Sequence, residues 1–116
     1  MKTIIAGSRG ITDIQHIRDA VAGFDGEISE VVSGTARGVD RLGEQWAQEQ
    51  SVPVARFPAD WNQHGKKAGY LRNREMAAYA DALIAVWDGV SRGTKNMIEE
   101  MEELEKVVHV HRVGGE

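Results

Sequence analysis

The stretch that decides the fold is EVVSGTARGVDRLGEQWAQ (residues 30–48). It begins with a short apolar run, passes through a glycine-containing turn, and continues with Val39, Leu42, Trp46 and Ala47 at helical spacing. A short apolar run bounded by turn residues predicts a buried strand, and apolar residues three to four positions apart predict one face of a helix. The stretch therefore predicts a strand, a loop and a helix in succession.

The same order of strand, loop and helix recurs along the chain. We predict strands at 2–7, 29–34, 52–58, 81–88 and 107–113, with helices at 12–24, from near 36, at 65–80 and at 94–105. Strands that alternate with helices predict a parallel sheet covered on both faces. We therefore predict an α/β fold: a three-layer, Rossmann-like domain over residues 1–116, with an open, mainly parallel sheet of about five strands. Pro53 in the third strand predicts an edge position.

The composition excludes several classes of protein. The chain has 116 residues, of which 41% are hydrophobic and 28% charged, with no cysteine and a net charge of -4. Without cysteine there are no disulfides or thiolate metal sites. The sequence shows no secretory leader and no apolar run long enough to span a bilayer, so we expect a cytoplasmic protein with no membrane partner. The acidic balance disfavours nucleic acid as a partner. His64 has no second ligand at a metal-binding spacing, and we predict neither a metal nor a cofactor.

Glycine-rich polar sequence follows four of the five predicted strands. These segments are residues 6–10, 33–40, 58–69 and 88–96. In open α/β sheets, ligands bind outside the carboxyl ends of the strands, where these four segments are expected to meet. One such turn would be weak evidence, but four at one edge favour a binding site.

The residue types in these segments predict an anion site. Glycines let the backbone approach a ligand, and helix N-termini present unpaired amides with a partial positive charge. Thr35 and Thr94 stand where helices are expected to begin, so each can be an N-cap, a ligand contact or both, and Asp40 is expected to be a structural anchor of the rim. No segment matches a P-loop or a dinucleotide fingerprint. The predicted ligand-binding residues are Gly7, Ser8, Arg9, Ser33, Gly34, Thr35, Gly38, Asp40, Asn73, Ser91, Arg92, Gly93, Thr94 and Lys95.

One face of the predicted helix over 65–80 is polar in its first half and apolar in its second half. Arg72 and Asn73 occupy its first half and apolar residues its second. Because such a helix starts beside the carboxyl edge of the sheet, both side chains are expected to face the ligand. The alternative is a salt bridge from Arg72 to Asp40 or Asp88.

Two aromatic residues, Trp61 and Tyr70, flank the basic loop after the third strand. Either side chain can stack on a nucleic base. Either can instead pack at the rim of the site, and the sequence leaves both alternatives open.

With these residues in view, the chain resembles the SLOG superfamily, which includes Lonely Guy phosphoribohydrolases, Smf/DprA DNA-processing proteins and YspA/YpsA-type domains. The resemblance is closest to the small YspA-type group and covers nearly the whole chain. It rests on five segments in order: AGSR (6–9), VVSGTARGVD (31–40), DWNQHGKKAGYLRNREM (60–76), ADALIAVWDG (80–89) and SRGTKNMI (91–98).

The resemblance implies a site for a nucleotide or nucleotide-derived ligand. It aligns Arg72 and Met76 with the R-K-x-x-M motif of Lonely Guy enzymes, and Gly93 and Thr94 with their phosphate-binding pair. The position of their catalytic glutamate is assigned to Asn96, which cannot act as a general base. The candidate replacements are Glu99, one turn further on, and Asp88, neither of which aligns with that position.

Three functions follow as hypotheses. The first is binding or sensing of a nucleotide derivative. The second is hydrolysis of a nucleotide N-glycosidic bond, with Arg72, Asn96 and Glu99 as the catalytic candidates. The third, from the similarity of RNR (72–74) to Smf/DprA proteins, is single-strand binding. Methionines expected to be exposed, together with edge strands, would also allow a homodimer.

Overall fold

The computed structural model describes residues 1–114, and the last two residues of the predicted domain, 115–116, lie outside them. Strands and helices alternate along the chain. They are, in order, β1 (Lys2–Gly7), α1 (Gln15–Ala22), β2 (Glu30–Ser33), α2 (Val39–Glu49), β3 (Val54–Arg56), α3 (Trp61–His64), α4 (Ala68–Tyr79), β4 (Ala82–Trp87), α5 (Arg92–Glu103) and β5 (Val107–Arg112). A 3₁₀ turn, Gly65–Lys67, joins α3 to α4.

One five-stranded sheet organises residues 1–114, in the order β3-β2-β1-β4-β5. Every pair of neighbouring strands is parallel, so the predicted α/β fold is confirmed. β3 lies at one edge, as Pro53 indicates. β1 is central, and the chain turns from one half of the sheet to the other between β1 and β4. This is the switch point where open α/β sheets bind ligands.

Helices cover both faces because alternate side chains of each strand point in opposite directions. Ile4 and Leu83 pack with Met76 of α4 and Met101 of α5. On the other face, residues such as Ile5 and Ile84 pack under α1 and α2. Gly43 lets α2 approach the sheet closely, since a Cβ there would lie 2.9 Å from the Cβ of Ile5. The two cores hold the strand ends in fixed positions.

Three helices begin elsewhere than the sequence predicts: α1 starts at Gln15 and not at 12, and the starts of α2 and α5 differ beside the candidate site. α2 starts at Val39, not near 36, because Thr35 (φ 64°) and Gly38 (φ 76°) adopt left-handed conformations that a helix cannot contain. Thr35 is therefore not an N-cap. α5 starts at Arg92, so Thr94 lies inside the first turn, where its Oγ1 is 3.2 Å from the Oγ of Ser91. Both threonine caps were wrong for the same reason: each helix begins at a backbone turn that other residues form.

The predicted helix over 65–80 corresponds to the 3₁₀ turn Gly65–Lys67 followed by α4, and a short helix that was not predicted, α3, precedes it. α3 begins after Asp60, whose Oδ1 accepts a hydrogen bond from the amide of Gln63 at 3.1 Å. Gly65 follows α3 with φ 58°, which ends that helix. α4 begins three residues later and carries Arg72 in its second turn.

The expectation of exposed methionines was wrong for three of the four. Met76, Met97 and Met101 are buried in the core between the sheet and α4 and α5, and only Met1 is exposed. They therefore offer no dimer surface. Within residues 1–114, no helix combines the length and apolar character that crossing a bilayer requires.

Candidate functional site

A cavity of about 420 Å³ opens at the switch point, beyond the carboxyl ends of β1 and β4. The loop after β1 lies on one side and the start of α5 on the other. Residues of the α2 and α4 layers close the remaining walls. The cavity is lined by Ala6, Gly7, Ser8, Arg9, Gly10, Ala36, Asp40, Arg72, Asn73, Met76, Asp88, Ser91, Gly93, Thr94 and Met97. We call it the switch-point cavity.

Ser8 ties together the three loops that meet here. Its carbonyl oxygen accepts from the amides of Ile11 and Val39, at 3.3 and 3.4 Å. Its Oγ accepts a hydrogen bond from the amide of Asp88 at 3.0 Å. Ser8 is 2% exposed, so its hydroxyl acts mainly in holding the β1 and β4 loops together.

The turn before α5 leaves three amides free at the edge of the cavity. The Oδ1 of Asp88 accepts from the amides of Val90 and Ser91, at 2.8 and 2.9 Å. These hydrogen bonds lower the pKa of Asp88. The next amides, of residues 92–94, donate to no acceptor within residues 1–114. Since Gly93 has no side chain and no atom within 4 Å of a built Cβ, the backbone there is open to a ligand.

Arg72 crosses from the α4 layer to the loop after β2. Its guanidinium donates to the carbonyl oxygen of Gly34 and, at 3.1 Å, to the Oδ1 of Asn73. Asn73 is fixed in turn, since its Nδ2 donates to the carbonyl of Gly93 (3.2 Å) and to the Oδ1 of Asn96 (2.8 Å). Asn73 is therefore a positioning residue for Arg72 and for the start of α5.

Asp40 is the buried acid of the cavity. It is 6% exposed, and its Oδ2 accepts from the amide of Ala36 at 3.1 Å. Burial raises the pKa of Asp40 to about 6, although the Ala36 amide and the positive charge of Arg72 oppose the shift. Burial likewise lowers the pKa of Arg72, and nearby Asp40 opposes that shift. The two groups are neighbours without forming an ion pair within 4.0 Å, in the part of the chain that the structure describes.

The structure brings together about half of the predicted site residues. The predicted residues that line the switch-point cavity are Gly7, Ser8, Arg9, Asp40, Arg72, Asn73, Ser91, Gly93 and Thr94. Gly34 and Thr35 line an adjoining cavity instead. Arg92 and Lys95 are exposed and line neither.

Two further predictions for the loop after β2 are corrected. The hydroxyl of Ser33 donates to the Oε2 of Glu44 at 2.6 Å and accepts from the amide of Thr35 at 3.1 Å, so it is occupied within the protein. Gly38 packs on the β1 loop, where a Cβ would lie 2.6 Å from the carbonyl oxygens of Ser8 and Arg9. Both residues shape the loop and do not line the switch-point cavity.

The candidate catalytic residues separate in space. Asn96 points to Asn73, Glu99 is exposed, and neither lines the cavity. In the Lonely Guy motif that the resemblance invokes, the glutamate is the third residue after the glycine-threonine pair (G-T-x-x-E). Counted from Gly93 and Thr94 this position is Met97, so the assignment to Asn96 was wrong by one residue; Met97 lines the cavity. The carboxylates at the cavity are Asp40, which the sequence predicts as a ligand-binding residue and anchor of the rim, and Asp88, which it offers as an ion-pair partner of Arg72 or as a replacement for the missing glutamate. Among residues 1–114, no group of three or more histidines and acids is placed to hold a metal ion.

Comparison with known proteins gives three similarities. The family model YAcAr, described as the YspA, cpYpsA-related SLOG family, matches residues 1–64. The chain is 39% identical over 114 residues to the Gene 61 protein of Mycobacterium phage D29, with 88% of this chain and 89% of that protein covered. Its structure resembles DNA processing protein A (DprA) from Streptococcus pneumoniae, with a TM-score of 0.75, 18% identity and 99% of this chain covered. This chain spans half of the DprA chain, and that likeness concerns the fold.

Proposed function

Since this chain belongs to the YspA, cpYpsA-related SLOG family, we propose that it binds a nucleotide or nucleotide-derived ligand in the switch-point cavity. The observation that carries the proposal is the convergence of open amides and arginines at the switch point. Arg9 and Arg72 line the same 420 Å³ cavity as Gly93 and Thr94. Its volume lies within the range of about 300–1,000 Å³ that small-molecule sites occupy.

The phosphate of the ligand is assigned to the first turn of α5. Free amides at a helix N-terminus, together with the helix dipole, bind anions. Gly93 permits close approach, and the hydroxyls of Ser91 and Thr94 line the same wall. Arg72 is already held by Gly34 and Asn73, so little side-chain entropy is lost when it binds phosphate.

The carboxylates of the cavity fit the remainder of a nucleotide. Asp40 and Asp88 are acceptors for hydroxyl or amino groups, which the ribose and the bases carry. Met76 and Met97 supply apolar surface at the base of the cavity. The site thus has donors for an anion at one wall and acceptors for a sugar or base at another.

Thermal denaturation against a panel of nucleoside mono-, di- and triphosphates tests the proposal. A ligand at a hundredfold excess over its Kd stabilises the folded state by about 2.7 kcal/mol. We expect at least one nucleotide to raise the Tm of the wild type, and Arg72→Gln to remove the shift. Arg74→Gln is the matched control, since Arg74 lies on the same helix, is exposed, and forms only an ion pair of 3.7 Å to Glu100. A panel that leaves the wild-type Tm unchanged contradicts the proposal.

A second candidate function is hydrolysis of the N-glycosidic bond of the bound nucleotide. The observation that favours it is the buried Asp40 in the cavity, whose pKa of about 6 suits proton transfer near neutral pH. Asn96 and Glu99 are not proposed for this role, since they lie outside the cavity. The test is release of free base from nucleoside monophosphates. Asp40→Asn should abolish release while nucleotide binding persists; release that survives in this variant would exclude Asp40.

A further inference from the structure

A second cavity, of about 400 Å³, adjoins the switch-point cavity. It lies between the loop after β2, the start of α2 and the segment that leads into α3. Arg9 and Arg72 line both cavities and therefore stand at their boundary. Its charged and aromatic lining consists of Arg9, Arg37, Arg41, Arg72 and Trp61, and we call it the arginine cavity.

The arginine cavity concentrates positive charge that is offset only in part, by Asp40 of the adjoining cavity, whose charge interacts with Arg72 and Arg9. Its lining contains four arginines and no carboxylate. Within residues 1–114, Arg9, Arg37 and Arg41 form no ion pair. Of the acids on α2, Asp40 is buried in the adjoining switch-point cavity, and Glu44 pairs with Arg56 at 2.9 Å. In a chain of net charge -4, such a cluster is a local electrostatic feature suited to an anion.

Trp61 gives the arginine cavity an aromatic wall. Its side chain is 52% exposed, although it packs over Gly69, where a Cβ would lie 3.5 Å from the indole ring. A large aromatic surface that remains half open beside arginines is suited to stack on a nucleic base. The same indole lines a smaller groove with Tyr70, which is 50% exposed.

We propose that the arginine cavity binds a second nucleotide unit, so that the ligand consists of two nucleotides joined through phosphate. This inference rests on the proposed function, which places the first unit in the switch-point cavity. Each cavity alone is near the lower end of the volume range for ligand sites, which fits one unit in each. The linking phosphate would lie at Arg9 and Arg72, and the second unit would contact Arg37, Arg41 and Trp61.

The Nη2 atom of Arg72 supports this placement of the link. The Nε and Nη1 atoms are engaged by Asn73 and Gly34, whereas Nη2 has no acceptor within residues 1–114. It lies on the side of Gly69, 3.9 Å from a Cβ built there, and Gly69 also faces Trp61. Arg72 is therefore fixed by the protein on one edge and free to donate on the other.

The test measures affinities of the whole protein by calorimetry in 150 mM salt. The probes are the four 5′-mononucleotides, the corresponding 5′-phosphorylated homodinucleotides and pyrophosphate-linked diadenosine diphosphate, which separate the two possible linkages. We expect a dinucleotide to bind at least about tenfold tighter than its mononucleotide, as charge-assisted hydrogen bonds to added arginines imply. Arg37→Gln/Arg41→Gln should remove that gain and leave mononucleotide affinity within about twofold. Arg74→Gln, also an exposed arginine, is the control and should retain the gain.

Failure of this inference is distinct from failure of the proposed function. Equal affinity for mono- and dinucleotides, or a gain that survives in the double variant, overturns the second unit while mononucleotide binding still supports the first. Absence of binding to every probe overturns both. Tighter binding of a single-stranded 20-mer than of any dinucleotide would assign the arginine cavity to a nucleic-acid strand and overturn the proposal.

Discussion

The guanidinium of Arg72 donates a hydrogen bond to the carbonyl oxygen of Gly34, and this contact joins α4 to the loop after β2. α4 packs on one face of the sheet, and the loop leads to α2 on the other. The contact therefore spans the carboxyl edge between the two helical layers. It fixes Arg72 beside Asp40 before any ligand arrives, so the charged wall of the switch-point cavity is preorganised.

Arg72→Lys is expected to lower stability as well as nucleotide affinity. Lysine keeps the charge but cannot donate simultaneously to Gly34 and Asn73 from a rigid fork. Loss of a hydrogen bond from a charged donor costs about 2 kcal/mol of the free energy of unfolding. Urea denaturation measures the change. Arg74→Lys, on the exposed face of α4, should leave the midpoint unaltered, and an equal effect of both substitutions would contradict the role of the Gly34 contact.

Gly7→Ala is expected to destabilise the protein because of a backbone clash. A Cβ at Gly7 would lie 1.9 Å from the carbonyl oxygen of Val86, in the paired central strands. Neither backbone can move freely there, so we expect a loss of about 3 kcal/mol in the free energy of unfolding. Gly10→Ala is the control, since nothing lies within 4 Å of a Cβ built at Gly10. Urea denaturation of the two variants should show a large difference, and equal stabilities would contradict the packing argument.

Asp40 is expected to make stability fall as pH rises from about 4 to 6. Its pKa is about 6 in the folded protein and near 3.8 when unfolded, so in this window the folded state binds more protons. Its stabilising contribution is fully present below pH 4 and is lost as pH rises through 6, in total about 3 kcal/mol. Asp40→Asn cannot titrate. The free energy of unfolding of the variant relative to that of wild type should therefore rise by that amount between pH 4 and 7. If the two curves of unfolding free energy against pH run parallel, the pKa of Asp40 is not raised in the folded protein.

The same proton should be linked to ligand binding. Ionised Asp40 offsets the positive charge of its neighbour Arg72, which is proposed to bind the phosphate, so nucleotide affinity should rise as pH falls from 7 to 5. The phosphate of the ligand titrates in this range as well, but equally for both proteins. Calorimetry at several pH values gives the slope of log Kd for the nucleotide against pH, and the test compares this slope between wild type and Asp40→Asn. Identical slopes would place the phosphate away from Asp40.

The strands, their order of appearance and the edge that carries the site follow from local sequence patterns. Apolar runs such as residues 2–7 and 81–88 have the length and composition of buried parallel strands. Glycine and polar residues at their carboxyl ends predict the cavity through a rule of topology, which needs no side-chain detail. The inward position of Arg72 was predictable because a charged residue on the inner face of a helix does not pack in an apolar core and therefore needs a polar partner.

The roles within the loops were not predictable in the same way. By residue type, Ser33, Thr35 and Gly38 look like phosphate-binding residues. Their conformations, however, depend on contacts with Glu44 and with the β1 loop, which the local sequence around residues 33–38 does not reveal. Thr35 takes a left-handed conformation that threonine seldom adopts, and only the surrounding contacts determine it. Local composition thus predicted where the candidate site lies but did not distinguish residues that line the switch-point cavity from residues that shape its loops.

Asp88 is expected to control the start of α5 through hydrogen bonding and not through charge. Its Oδ1 accepts from the amides of Val90 and Ser91, and α5 begins at the next residue. Asp88→Asn retains an oxygen in this position and should keep the turn, whereas Asp88→Ala removes the acceptor from both amides. Hydrogen exchange at Val90 and Ser91 should therefore accelerate in Asp88→Ala and stay near wild type in Asp88→Asn. The nucleotide-dependent rise in Tm should follow the same order, because the free amides of Gly93 and Thr94 are positioned by this turn. Equal exchange in the two variants would show that the turn forms without the Asp88 side chain. The amides at the start of α5 would then be positioned by other contacts, which contradicts this prediction.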